Sequence, residues 1–201
     1  PVVTVKNVMR HWWCEWRFHR RLPFPWIGVL GPDGSGKSTV IENVQEKIRL
    51  SRLKLSVVHW LPPLQQGAVS SHGTVTDPHA QAPKSSIFSC LQLTKILVYW
   101  WWASFRYLFH LRAKREMVLS DRFYLDLLAD PRRYRYGASL EIARFVFRFL
   151  PEPDRVIVLH TEADTILARK EEVSREELER QLDRYREIVG DNGEKAVLVD
   201  C

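Results

Sequence analysis

A three-layer α/β/α fold around a mainly five-stranded parallel sheet is what this 201-residue sequence predicts. Short, nearly unbroken apolar runs recur along it, helical stretches separate them, and the first run opens straight onto a glycine-rich loop that leads into a helix. Apolar runs without alternation read as strands covered on both faces, and alternation of strand with helix is how parallel strands are joined. With 45% hydrophobic residues, the chain can bury one substantial core but not comfortably two.

The first strand is expected at 26–30 and the helix after the loop at 38–50. Further strands fall at 56–60, 117–120, 155–160 and 196–199. Residues 61–85 turn polar, and Pro62, Pro63, Gly67, Gly73, Pro78 and Pro83 break any period, which predicts a long loop, with a substrate-facing loop as the leading expectation and a disordered one as the alternative. The run 93–111 is the longest apolar stretch. Lys95, Arg106 and His110 interrupt it, so a buried or half-buried helix is expected rather than a membrane span. Its stripe of Tyr99, Trp100, Trp101, Trp102, Phe105 and Tyr107 is expected to be core, an acceptor pocket around Arg106 being the lesser reading. Two more helices are expected, one from near Ala163 and one over 175–189.

Residues 31–39 read Gly-Pro-Asp-Gly-Ser-Gly-Lys-Ser-Thr, a full match to G-x-x-x-x-G-K-[ST] in strand–loop–helix context. Glycines there let successive N–H groups at a helix N-terminus converge on one anion. Lys37 is expected to reach the β- and γ-phosphates and the Ser38 hydroxyl to hold Mg²⁺. The fold is therefore expected to be that of a P-loop NTPase, with ATP and Mg²⁺ as cofactors. Gly31, Asp33, Gly34, Ser35, Gly36, Lys37, Ser38 and Thr39 form the expected nucleotide site.

A formal charge of +6 and a pI near 9.4 favour anionic partners. Cys14, Cys90 and Cys201 have wide, unpatterned spacing, which argues against a disulfide framework or a zinc site and points to packed structural thiols in a cytoplasmic protein. No signal peptide is recognisable. Residues 1–25 are set apart as a basic aromatic extension of the P-loop domain at 26–201. There Trp12, Trp13, Trp16 and Phe18 interleave with Arg10, Arg17, Arg20 and Arg21. A helix laying its aromatics on the core is the leading expectation, with an anionic membrane surface or stacking on bases as the alternatives.

In such folds ligands gather at the carboxyl ends of the strands. Asp121 and Arg122 follow the third strand, where Asp121 can orient Mg²⁺ or accept a proton and Arg122 can neutralise charge on the transferred group or the acceptor. Arg132, Arg133 and Arg135 offer forked donors for an acceptor phosphate, with Tyr134 and Tyr136 as flat faces for a base or sugar. Arg169, Lys170 and Arg175 sit between two helices as lid cations that complete the site, or else as members of surface salt bridges. His59, ending the second strand, is a lesser candidate base.

Taken in order, the phosphate loop with Asp33, the Asp121-Arg122 pair and the 169–175 segment followed by Glu-Glu-Leu-Glu-Arg and Tyr185 resemble the thymidylate kinase-like branch of the nucleoside monophosphate kinases, and the Asp-Pro-Arg-Arg-Tyr-Arg-Tyr segment at 130–136 with the long 61–85 loop resembles a divergent bacterial subgroup of it. The resemblance covers most of 25–200. It implies transfer of the γ-phosphoryl of ATP, with Mg²⁺, to a nucleoside monophosphate, with Asp33 at the acceptor sugar and lid arginines replacing the arginine that the phosphate loop lacks. His59-Trp60-Leu61-Pro62-Pro63 stands where the family carries Arg-x-Pro, and His160 where it carries aspartate. A sugar or glycolipid precursor is therefore the alternative acceptor. A nucleotide-dependent module that binds nucleic acid or a membrane surface, without kinase activity, is the third reading. The family's adenine-contacting loop would follow Cys201, so a C-terminally shortened kinase domain is expected. A homodimer is compatible with the sequence.

Overall fold

The computed structural model describes residues 24–51, 53–59, 85–169 and 174–201. The expected extension before residue 24, Trp60, the loop up to residue 84 and Lys170 lie outside the described residues.

The chain runs β1 (Trp26–Leu30), α1 (Lys37–Leu50), β2 (Lys54–His59), α2 (Ser86–Ala103), a π-helical turn (Ser104–Leu108), α3 (Phe109–Ala113), β3 (Glu116–Asp121), α4 (Asp126–Ala129), α5 (Leu140–Phe147), β4 (Arg155–His160), α6 (Ala163–Arg169), α7 (Arg175–Asn192) and β5 (Ala196–Asp200). The strands make one parallel sheet ordered β2-β3-β1-β4-β5. Successive residues of a strand point to opposite faces, and both faces are covered here. Trp26, Leu30, Val118, Val156 and Val158 join a core with α2, α5 and α7, while Val29, Leu119 and Leu159 pack with Ile41 of α1. This is the predicted three-layer α/β/α sandwich.

Two polar anchors tie the layers at the amino ends of the strands. Arg112, almost fully buried at the end of α3, donates through Nε to the Phe24 carbonyl at 2.8 Å and pairs through Nη2 with Asp154 at 2.9 Å. Asp154 also accepts from the Trp26 backbone N–H at 2.7 Å, so one buried cation fixes the entrances of both β1 and β4. Trp26 in turn stacks on Trp100 and donates through Nε1 to Ser120 Oγ at 2.6 Å.

Strand ends differ from the sequence expectation where polar residues extend the ladder. β2 begins at Lys54 because Lys54 pairs with Glu116, and Ser56 Oγ donates to the Glu116 carboxylate at 2.5 Å. The aromatic stripe of α2 is core only on one side: Trp100 is 1% exposed, whereas Trp102 is 47% exposed. Cys90 and Cys201 correct the expectation of packed thiols, since both are free and exposed, Cys90 because it lies on the outer side of α2.

Candidate active site

The loop leaving β1 has the geometry its sequence requires. Gly31, Gly34 and Gly36 adopt φ of +146°, +85° and +86°, conformations that side-chain-bearing residues avoid. A Cβ on Gly31 would lie 2.9 Å from the Leu159 carbonyl oxygen of β4. The turn brings the chain into α1 at Lys37, whose unpaired first-turn N–H groups and dipole make an anion cradle.

Within that cradle Lys37 is 8% exposed and its Nζ donates to the carbonyls of Gly31 at 2.8 Å and Pro32 at 2.5 Å. Burial, reinforced by the charge of Arg122, lowers its pKa from 10.5 to about 8. A phosphate brought to this ammonium would relieve both effects. Ser38 and Thr39 are exposed on the first turn.

Beside the cradle, Asp33 joins two arginines: Arg122 Nη2 donates to its Oδ1 and Arg133 Nη1 to its Oδ2. Burial alone would raise this carboxyl, but Arg122, Arg133 and Lys37 outweigh it and hold the pKa at about 2. Arg122 sits in left-handed backbone, φ +63°, which costs a non-glycine residue on the order of 1 kcal/mol or more. Its second ion pair, Nη1 to Asp126 Oδ2 at 2.7 Å, helps to hold it there. Asp126 is fully buried and also accepts from the hydroxyls of Tyr134 at 2.7 Å and Tyr185 at 2.6 Å. Burial first, and then the Asp126 charge, raises both phenols well above 10, so they remain donors.

At the end of β3, Asp121 lies in register with Val29 of β1 and His59 of β2. Its Oδ2 is 2.9 Å from His59 Nδ1, while its Oδ1 is buried with no hydrogen-bond partner among the described residues. An orphaned carboxylate oxygen and an exposed first-turn hydroxyl suit a magnesium ion that arrives on phosphate, which takes few protein ligands and keeps several waters. Among the described residues no group of three or more His, Cys, Asp or Glu could hold a metal.

Asp33, Lys37, Arg122 and Arg133 thus come together around the loop, and Arg169 joins them by donating from Nη1 to the Gly34 carbonyl at 3.2 Å. Arg132 instead pairs with Glu177 of α7 at 3.2 Å, and Arg175 with Asp164 at 2.8 Å and Glu179 at 3.1 Å on the helix surfaces. Arg135 turns the chain at φ +52°. Tyr134 and Tyr136 correct the expectation of open stacking faces. Tyr134 is turned inward by its bond to Asp126, and Tyr136 is 5% exposed with its hydroxyl on the Ser139 carbonyl. Sequence reasoning passed over Asp126, which lies four residues after Arg122 but across the turn from β3 into α4, where the helical pairing pattern does not apply. The partnership of His59 with Asp121 is equally unsignalled, because it depends on strand order.

No protein-family model matches the chain, and no curated protein matches it in sequence. Among solved structures, a thymidylate kinase from Ehrlichia chaffeensis is similar, with a TM-score of 0.54, 17% identity, and 88% of each chain covered. At that identity the likeness establishes the fold: an α/β P-loop fold on a five-stranded parallel sheet.

Proposed function

We propose that the chain is a P-loop kinase that moves the γ-phosphoryl of ATP, with Mg²⁺, to a small acceptor, and that a nucleoside monophosphate is the leading acceptor. One observation carries this reading: a phosphate cradle containing Lys37 is flanked by Asp33 holding two guanidiniums, which offers a triphosphate site beside a second anion site. Loop N–H groups and Lys37 bind and orient the triphosphate, and Ser38 with Asp121 would hold the magnesium ion. When bound, that ion neutralises charge on the phosphate oxygens. Arg122, fixed by Asp33 and Asp126, offers its cation where charge spreads in the transferring group, while Arg133 faces the acceptor. Arg169, already on the loop, and Arg175 belong to a segment that brings further cations once substrates are bound. In this reading residues 26–201 are the kinase domain and 1–25 an extension to it.

His59 favours a second reading. An Asp-oriented histidine at the end of β2 is of little use to an acceptor phosphate that is already ionised, but it suits an acceptor hydroxyl that must lose a proton. A panel of nucleoside monophosphates, nucleosides and phosphosugars, assayed for ADP release above the ATPase background, separates the two. Stimulation by a monophosphate supports the first, stimulation by an unphosphorylated hydroxyl compound supports the second, and none by either class rejects both.

A further inference from the structure

Helix α2 is apolar on two opposite sides, and only one of them meets the core. Ser89, Leu93, Trp100 and Ala103 are buried, whereas Ile87, Leu91, Val98 and Trp102 are 76, 53, 63 and 47% exposed. The exposed four recur at helical spacings and so form one stripe along a helix about 27 Å long. An ordinary surface helix carries charged and polar residues on that side.

The charge around the stripe has one sign. Between residues 85 and 115 there is no aspartate or glutamate, while Lys95, Arg106, Arg112, Lys114 and Arg115 are all basic. Lys95, Arg106, Lys114 and Arg115 are exposed, and Lys95, four residues after Leu91 and three before Val98, lies on the stripe's own side of the helix. The preceding chain enters the fold at this same layer, because the Phe24 carbonyl accepts from Arg112 of α3. Residues 1–23, which lead to that point, carry Lys6, Arg10, Arg17, Arg20 and Arg21 against the single acid Glu15, interleaved with three tryptophans.

We propose that the outer side of α2 docks on the surface of an anionic lipid bilayer. A bilayer supplies apolar depth for Ile87, Leu91 and Val98, an interfacial level for the Trp102 indole, and negative charge for Lys95 and Arg106. The other occupants fit less well. A second copy docked by two-fold symmetry sets the stripe on itself and brings its cations towards one another, with no acid on the helix to neutralise them. Residues 1–23 bring more positive charge to a positive surface. Among the described residues no helix is long and apolar enough to cross a membrane, so the helix lies on the surface rather than through it.

Flotation of the full chain with vesicles of phosphatidylcholine and phosphatidylserine, against phosphatidylcholine alone, tests this. The parent is expected to float with the anionic vesicles and to be released by salt. Neutralising Lys95→Gln and Arg106→Gln together should lower partitioning roughly thirtyfold, about fivefold for each cation. Val98→Glu should abolish it, and all these variants should melt with the parent because the changed side chains are exposed. A parent that stays out of anionic vesicles overturns the proposal; joined to a dimer that Val98→Glu dissociates, that result assigns the stripe to a second copy. Variants that partition like the parent also overturn it, and assign the binding to residues 1–23.

Discussion

Replacing Asp33 by asparagine keeps the shape of the phosphate loop and removes the carboxylate that joins Arg122 to Arg133. The magnitude follows from the proton. Burial would raise this carboxyl, yet the three cations lower its pKa from 3.8 to about 2. Nearly two pKa units, at about 1.4 kcal/mol each, amount to about 2 kcal/mol of folding free energy near neutral pH. The side chain is 29% exposed, so solvent screening leaves most of that contribution in place. Because the folded pKa lies below the unfolded one, the contribution is complete above the unfolded value and is lost as pH falls through about 2. Urea unfolding of the parent and Asp33→Asn, followed by tryptophan fluorescence, should show a gap of about 2 kcal/mol at pH 7 and at pH 5, narrowing to about 1 kcal/mol at pH 3. A gap under about 0.5 kcal/mol at pH 7, or one that widens in acid, refutes the bridging role given to Asp33.

Lys37 should behave in the opposite sense. Its folded pKa of about 8 lies below the usual 10.5, so the buried ammonium costs stability below pH 8 and the cost fades as pH rises towards 10.5. Lys37→Met is expected to unfold at higher urea than the parent at pH 7, by up to about 3 kcal/mol, with the gap closing by pH 10.5, while losing phosphoryl transfer. An unchanged or lower midpoint at pH 7 contradicts this. Tyr185→Phe removes a 2.6 Å bond to buried Asp126 and should cost about 1.5–3 kcal/mol. It should also raise the acceptor KM more than the ATP KM, because Asp126 holds Arg122; equal effects on both would detach Tyr185 from the acceptor side. A Cβ at Gly28 would stand 2.4 Å from the Phe123 ring, so Gly28→Ala should lower stability by about 1–3 kcal/mol in thermal or urea unfolding. A neutral result would mean that Phe123 can move, and with it its neighbour Arg122.

What could be read from the chain beforehand was whatever short-range pattern encodes. Apolar runs located all five strands, and the G-x-x-x-x-G-K-S string located the cradle with its glycines at positive φ. Harder to read were features created by strand order and packing. β3 inserts between β1 and β2, and only that adjacency places His59 against Asp121. Tyr134 looked like a stacking face because its sequence neighbours are arginines, but the buried Asp126 carboxylate draws its hydroxyl inward. Arg132 and Arg133 are consecutive, yet one turns to Glu177 on α7 and the other to Asp33, a divergence set by backbone direction in a turn with no periodicity to reveal it. Helix α2 was legible as apolar and at least half-buried, but not which of its sides meets the core, because both are hydrophobic.

The central claim is transfer of a phosphoryl group out of the cradle, and a labelled-phosphate experiment tests it most directly. The chain is mixed with Mg²⁺ and ATP carrying ³²P at the γ-position, in the presence of nucleoside monophosphates and hydroxylated sugars, and the products are separated with Lys37→Ala run in parallel. The account predicts a labelled acceptor with the parent and a loss of at least about a hundredfold in its rate of formation with the variant, the scale expected when a transition-state cation is removed. ATP bound tightly by the parent, with no label on any acceptor and hydrolysis no faster than in Lys37→Ala, would contradict it and leave a nucleotide-binding module in place of a kinase.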